Sequence, residues 1–145
     1  MDRYAVIGNP VAHSRSPQIH RLFAEQTGEK LTYEALECAE GEFEQTVREF
    51  AAEGGKGMNV TLPFKLGAFA LCSGKNEAAE LSGAVNTLSF AGDKVLGGNT
   101  DGAGLLHDLK VNHQIELTGK TVLVLGAGGA ARGIMKPLLD EKPAE

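Results

Sequence analysis

Short apolar runs alternate with segments of helical periodicity along most of the chain, and this alternation constrains the fold more than any other feature. The apolar runs predict buried strands at residues 4–7, 31–36, 57–62 and 121–125. The helical segments predict helices at residues 16–27, 42–53, 65–72, 76–81 and 100–110. Residues 85–90 and 94–97 flank a short turn and predict an antiparallel hairpin. Together they predict an α/β fold, with a mostly parallel open sheet flanked by helices.

A polar connector at residues 111–119 is the best candidate for a domain boundary. Residues 1–110 precede it and are numerous enough to form a complete small domain. Residues 111–145 contain the connector and the strand, turn and helix of one Rossmann-type βα unit. We therefore expect a first domain at 1–110 and a truncated second domain at 111–145.

Charge and composition argue against several classes of protein. The net charge is −5 and the basic residues are scattered, so a nucleic-acid or anionic-lipid surface is not expected. No run reaches the length of a membrane span and no signal-peptide pattern is present, which predicts a cytoplasmic protein. Cys38 and Cys72 lack C-x-x-C spacing and are expected to be free thiols, with no metal site.

A glycine-rich turn follows the last predicted strand and opens a helix. Residues 126–131, GAGGAA, fit the pattern G-x-G-x-x-A. In this context glycines let the backbone approach a pyrophosphate, whose charge is stabilised by the helix N-terminus. The pattern therefore favours a dinucleotide site, with a tight βα turn that binds nothing as the alternative.

Polar residues also cluster at the end of the third predicted strand. Asn59 and Thr61 occupy alternating positions and should share one face, and Lys65 follows the turn at Pro63. At the carboxyl end of a parallel strand these residues would line the crevice where open α/β sheets bind ligands. An ordinary solvated loop remains the alternative.

Four further polar residues lie at helix starts or interrupt apolar strands. Ser14 and Ser16 bracket the start of the first helix, where a carboxylate or phosphate could bind, and Ser16 also suits the N-cap. Asp101 precedes an apolar helix and could be a simple cap. Asn86 interrupts an apolar strand and could contact a ligand or be satisfied by backbone. The four histidines show no ligand spacing and suit surface or capping roles.

Six motifs combine in one order and approximate spacing that closely resembles the shikimate dehydrogenase family. They are distributed from residue 8 to residue 133, so together they are far more specific than any one alone. The motifs are GNP at 8–10, HSRSP at 13–17, NVTLPFK at 59–65, GAVNT at 83–87, NTDG at 99–102 and GAGGAARG at 126–133.

The resemblance implies a shikimate-binding catalytic domain followed by an NADP-binding Rossmann domain. The implied reaction is reversible hydride transfer between NADPH and 3-dehydroshikimate, giving shikimate for aromatic amino-acid biosynthesis. Lys65 and Asp101 would form the catalytic pair. The resemblance assigns the substrate carboxylate to Ser14 and Ser16, and the ring hydroxyls to Asn59, Thr61, Asn86 and Asp101. It assigns the NADP pyrophosphate to Gly126, Gly128, Gly129 and Ala130.

The chain departs from the resemblance in its length. Members of the family are considerably longer, and the rest of the Rossmann strands and the loop that meets the 2′-phosphate of NADP are not present in these 145 residues. We therefore expect a truncated, poorly active form. The alternatives are a non-catalytic shikimate-binding fragment or a related quinate/shikimate dehydrogenase, and the protein is expected to be a monomer or homodimer.

Overall fold

The computed structural model describes residues 1–145 as one six-stranded sheet with six α-helices. The strands are β1 (Asp2–Gly8), β2 (Leu31–Glu37), β3 (Gly55–Val60), β4 (Gly74–Lys75), β5 (Thr87–Ala91) and β6 (Lys94–Gly98). The helices are α1 (Ser16–Thr27), α2 (Phe43–Ala52), α3 (Lys65–Leu71), α4 (Glu77–Ser82), α5 (Asp101–His107) and α6 (Gly129–Asp140). A 3₁₀ turn at Glu40–Glu42 precedes α2, and a π-helical turn at Asp108–Asn112 follows α5.

The sheet has the strand order β2-β1-β3-β5-β6-β4. β1 pairs in parallel with both β2 and β3, and β4 pairs in parallel with β6. The predicted hairpin is formed by β5 and β6, and β5 also pairs antiparallel with β3. The predicted α/β class, with a mostly parallel sheet flanked by helices, is thereby confirmed.

The hydrophobic core lies between the sheet and the helices that pack on it. Helix α2 presents Phe43, Val47 and Phe50 to this core, as its periodicity predicts. Ile7 of β1 and Leu88 of β5 are almost fully buried beside them. None of the helices has the length and apolar character that crossing a bilayer would require.

The parallel strands β1 and β3 end side by side, and the loops that follow them are tied together. The Thr61 N–H donates to the Ile7 carbonyl at 3.0 Å, and the Asn9 N–H donates to the Leu62 carbonyl at 2.9 Å. Gly8 allows this approach, because a Cβ there would lie 2.5 Å from Thr61 Cγ2. The two loops therefore form one wall at the carboxyl edge of the sheet.

The predicted strand at residues 121–125 is wrong. That segment belongs to no strand. Only its first residues lie near a backbone partner: residues 119–122 exchange three hydrogen bonds with residues 142–145. Leu123 and Leu125 are 81% and 87% exposed. An apolar run becomes a strand only where a neighbouring strand pairs with its whole length, and here no such neighbour is present.

Other element boundaries differ from the sequence predictions by smaller amounts. Strand β3 begins and ends two residues before the predicted 57–62, so Thr61 lies just beyond it. The predicted helix at 100–110 ends at His107 and continues as the π-helical turn. The two-residue strand β4 was not predicted, because so short a segment is defined only by its pairing with β6. Element ends are the least certain part of any sequence pattern.

Helix α6 packs closely against α5 through a pair of glycines. A Cβ on Gly102 would lie 2.8 Å from the Gly133 carbonyl oxygen and would also collide with Pro137 of α6. A Cβ on Gly133 would lie 3.2 Å from Asp101 Oδ2. Helix α6 therefore contacts the helix that carries Asp101, and the proposed domain division at 111–119 stays a prediction.

This contact predicts opposite effects for two alanine substitutions in α5. Gly102→Ala should destabilise the protein by about 1–3 kcal/mol, because the new methyl group overlaps backbone atoms of α6. Gly104→Ala is the matched control: its Cβ meets nothing within 4 Å, so the helix should gain about 0.5–1 kcal/mol. Urea unfolding of both variants measures the difference, and equal stabilities would contradict the close packing of α5 and α6.

Candidate active site

A cavity of about 500 Å³ lies at the carboxyl edge of the sheet, where β1 and β3 end. It is lined by polar residues from the loops after both strands and from the starts of α1, α3 and α5. All seven residues to which the sequence assigns substrate contact line it: Ser14, Ser16, Asn59, Thr61, Lys65, Asn86 and Asp101. The structure thus brings together side chains that are up to 87 positions apart in the sequence.

Lys65 and Asp101 form an ion pair inside this cavity. Lys65 is the first residue of α3 and Asp101 the first residue of α5. Lys65 Nζ donates to Asp101 Oδ2 at 2.6 Å, and the two side chains are only 14% and 23% exposed. Hydrogen bonds between two charged groups at such distances are among the strong ones in proteins. The pair therefore fixes the position of Lys65 Nζ at the wall of the cavity.

Asn86 supports the carboxylate of this pair. Its Nδ2 donates to Asp101 Oδ1 at 2.8 Å and to Thr100 Oγ1 at 2.9 Å. Its Oδ1 accepts the backbone N–H of Thr100 at 3.1 Å. The Asn86 amide is therefore satisfied by side chains and backbone of the α5 start, and both carboxylate oxygens of Asp101 accept hydrogen bonds.

The start of α5 is capped by Asn99, a residue with no role of its own among the sequence predictions. Asn99 is buried, and its Oδ1 accepts the backbone N–H of Asp101 at 3.0 Å. Its Nδ2 donates to the Ala84 carbonyl at 3.0 Å. Thr100 occupies the N-cap position without a side-chain cap, so the alternative in which Asp101 is a simple cap is not found. A buried amide two positions before the helix supplies the acceptor instead.

Ser14 lies in the loop that follows β1, and Ser16 is the first residue of α1. The Ser14 hydroxyl accepts the backbone N–H of Ser16 at 3.2 Å. Arg15 occupies the N-cap position and Ser16 is the first helical residue, so the predicted N-cap role of Ser16 is wrong. The Ser14 hydroxyl binds the N–H of the first helical residue, and the Ser16 hydroxyl makes no capping bond.

Two aromatic residues beside the cavity, Tyr33 and His20, are not among the predicted site residues. The Tyr33 hydroxyl donates to Asn59 Oδ1 at 2.6 Å, and the ring of His20 stacks on Tyr33 with centroids 4.0 Å apart. His20 lines the cavity and its Nδ1 donates to the Ser16 carbonyl at 2.9 Å. The sequence contains one indication that His20 lies near the cavity: Ser16 and His20 are four residues apart and therefore share a face of α1.

Burial raises the pKa of Tyr33 to about 12. The cause is physical: a phenolate loses its hydration when it is buried, which disfavours the charged form. Burial also raises the pKa of both cysteine thiols, Cys38 and Cys72, which lie in the hydrophobic core. The Tyr33 hydroxyl therefore keeps its proton at neutral pH and remains a hydrogen-bond donor.

The glycine-rich turn approaches the cavity from the side of Lys65. Gly126 has φ of 109°, Gly128 occupies the N-cap position, and α6 begins at Gly129 without any side-chain cap. A Cβ on Gly129 would lie 3.5 Å from Lys65 Cβ, whereas a Cβ on Gly126 or Gly128 would meet nothing within 4 Å. This open, uncapped helix start, at 126–130, fits a pyrophosphate group.

Comparison with known proteins agrees with this geometry. The sequence model of the family described as "Shikimate dehydrogenase substrate binding domain" matches residues 6–88, more than half of the chain. The chain belongs to this family. The matched region contains six of the seven cavity residues named above, from Ser14 to Asn86.

Similar proteins include two curated bacterial enzymes named shikimate dehydrogenase (NADP(+)). The enzyme of Hahella chejuensis is 54% identical over 99% of this chain, and that of Herminiimonas arsenicoxydans is 56% identical over 99%. The matches cover 53% and 52% of those enzymes, so the chain spans about half the length of the curated relatives it matches.

Solved structures of this family have the same fold. The shikimate 5-dehydrogenase of Thermus thermophilus, solved in complex with shikimate, superposes with a TM-score of 0.91 at 38% identity. The match covers 99% of this chain and 54% of the Thermus chain. The sequence-based assignment to the shikimate dehydrogenase family is confirmed, and the individual site residues stay predictions.

The raised pKa of Tyr33 predicts a loss of stability in alkaline solution. Between the ordinary tyrosine pKa of about 10 and the folded value of about 12, the unfolded chain has released this proton while the folded protein retains it. The free energy of unfolding should therefore fall as pH rises through this interval. Tyr33→Phe should make the fall shallower in urea unfolding at a series of pH values. An identical slope in both proteins would contradict the assignment.

Proposed function

We propose that this chain provides the substrate cavity and the proton-transfer pair of an NADP-dependent shikimate dehydrogenase, which interconverts 3-dehydroshikimate and shikimate. The observation that carries the proposal is the Lys65–Asp101 ion pair, with 2.6 Å between Nζ and Oδ2, inside a cavity lined by hydroxyl and amide groups. Membership of the family and the names of the relatives support the same reaction.

The lining of the cavity suits a small, polyhydroxylated acid. In the proposal, the hydroxyls of Ser14 and Ser16 bind the carboxylate, which the amino end of the twelve-residue helix α1 also favours. The amides and hydroxyls on the opposite wall bind the ring hydroxyls: Asn59, Thr61 and Asn86, together with the Asp101 carboxylate. A volume of about 500 Å³ is large enough for such a ligand.

Lys65 is the proposed proton donor and acceptor. When the ketone is reduced, negative charge develops on its oxygen, and the Lys65 ammonium can donate a proton to that atom. In the oxidation direction the same nitrogen takes the proton from the substrate hydroxyl. Asp101 fixes the direction of a Lys65 N–H bond through the 2.6 Å ion pair. NADP, when bound, supplies or accepts the hydride.

The proposed cofactor contacts come from the glycine-rich turn. Gly126, Gly128, Gly129 and Ala130 would present backbone N–H groups to the NADP pyrophosphate, at the uncapped start of α6. The turn is also close to Lys65, since a Cβ on Gly129 would contact the Lys65 side chain. In this proposal residues 1–110 bind the substrate and residues 111–145 begin the cofactor-binding part.

A second candidate function is shikimate binding without turnover by the 145-residue chain. The observation that favours it is the segment before the glycine turn: residues 121–125 form no strand, and Leu123 and Leu125 are largely exposed. A dinucleotide turn is usually held by a strand of a complete sheet, and here that support is absent.

An absorbance assay separates the two candidates. Formation of NADPH from NADP and shikimate by the 145-residue chain would establish turnover, whereas calorimetric titration with shikimate detects binding alone. Binding without NADPH formation would favour the second candidate. If neither binding nor turnover occurs, the proposed substrate is wrong.

Lys65→Ala should reduce turnover far more than affinity. Loss of a positioned acid–base group lowers kcat by roughly 10²- to 10⁴-fold, while the remaining cavity residues keep the shikimate Kd within about tenfold of wild type. Initial rates are measured in a protein that joins these residues to a complete dinucleotide-binding domain, with calorimetry for the Kd. Lys56→Ala is the control, because Lys56 is an exposed residue of β3 outside the cavity. Near-normal turnover without Lys65 would refute its role.

A further inference from the structure

A series of side-chain hydrogen bonds connects Tyr33 on β2 with Asp101 on α5. The Tyr33 hydroxyl lies 2.6 Å from Asn59 Oδ1, and Asn59 Nδ2 lies 3.4 Å from Thr87 Oγ1. Thr87 Oγ1 lies 2.9 Å from Asn86 Oδ1, and Asn86 Nδ2 lies 2.8 Å from Asp101 Oδ1. We call these five residues the polar chain.

The direction of the hydrogen bonds is fixed at the Asp101 end. The carboxylate of Asp101 is paired with Lys65 and can only accept, so Asn86 must turn its NH₂ group toward it. On the other side, the backbone N–H of Thr100 can only donate, and it lies 3.1 Å from Asn86 Oδ1. Both neighbours therefore require the same orientation of the Asn86 amide.

This orientation determines every other donor in the polar chain. Thr87 has one hydroxyl proton and donates it to Asn86 Oδ1, so toward Asn59 it can only accept. Asn59 must then turn its NH₂ group to Thr87 and its oxygen to Tyr33. The polar chain is consistent only if Tyr33 donates its proton to Asn59.

Stacking on the ring of His20 holds Tyr33 in position for its hydrogen bond to Asn59. The His20 ring stacks on Tyr33 at 4.0 Å with an interplanar angle of 11°, and His20 is itself bonded to the Ser16 carbonyl. The raised pKa of Tyr33, about 12, keeps the hydroxyl protonated at neutral pH. At this end of the polar chain, the Tyr33 hydroxyl is therefore fixed in position and keeps its proton.

We propose that Tyr33 is a positioning residue, whose hydroxyl proton holds the Asn59 amide in the orientation that meets the bound substrate. This inference rests on the proposed function, in which Asn59 binds a ring hydroxyl of the substrate. Without the Tyr33 proton, Asn59 Oδ1 has no donor, and within the polar chain only the 3.4 Å contact with Thr87 still holds the amide. A ligand hydroxyl would then meet an amide that is less firmly held in place.

The test is a pair of matched tyrosine substitutions. Tyr33→Phe preserves the ring and its stacking on His20 and removes only the hydroxyl; it should raise the Kd for shikimate about tenfold. Tyr4→Phe makes the same chemical change on β1, outside the cavity, and should leave the Kd unchanged. Isothermal titration calorimetry measures both. An unchanged Kd for Tyr33→Phe would overturn the inference.

A double-mutant cycle with Asn59→Ala separates positioning from general stability. If Tyr33 acts through Asn59, Tyr33→Phe should cost no further affinity once the Asn59 amide is absent. Additive losses of affinity would show that Tyr33 acts by another route and would overturn the inference.

Side-chain amide signals in ¹H–¹⁵N spectra test the same contact without ligand. Tyr33→Phe should move the Asn59 NH₂ signals and leave those of Asn112, an exposed asparagine, in place. Unmoved Asn59 signals would overturn the role of Tyr33. Failure of the wild-type protein to bind shikimate would instead overturn the proposed function, while these spectra still decide whether Tyr33 orients Asn59.

Discussion

Two consecutive residues, Val85 and Asn86, connect the sheet to both members of the ion pair, and the rest of the site depends on them. The Val85 N–H donates to the Lys65 carbonyl at 3.0 Å, which holds the start of α3. Asn86 holds Asp101 through its side-chain amide. Because both anchors lie on one short segment, the distance between Lys65 Nζ and Asp101 Oδ2 is set by local geometry.

The same segment is fixed to the strands on either side. The Asn86 carbonyl accepts the Val60 N–H at 2.8 Å, at the end of β3, and its N–H donates to the Gly98 carbonyl at 3.0 Å, at the end of β6. Asn86 lies immediately before β5, with its backbone bonded to the ends of β3 and β6 and its side chain in the cavity. Partly buried polar groups that are fully bonded in this way favour one arrangement of the side chains around them.

Much of this fold follows from local sequence patterns, since helical periodicity and the short hairpin turn report contacts between near neighbours. Several of the features that escaped prediction depend on partners distant in sequence. Strand β4 is defined only by β6, and residues 121–125 lack a partner for most of their length. Tyr33 reaches Asn59 across the intervening strand β1, a contact that no spacing in the sequence indicates. The residue types alone left the cavity residues ambiguous; it was the combination of six motifs that pointed to a single site.

The position of Tyr33 also gives the protein an optical property. The chain has two tyrosines and no tryptophan, so its near-ultraviolet emission comes mainly from Tyr4 and Tyr33. Tyr33 is stacked on His20 and hydrogen-bonded to Asn59 at the wall of the cavity. One of the two tyrosines thus lies beside the site. A change in the cavity wall around Tyr33 therefore changes the intrinsic fluorescence of the protein, and no added label is needed.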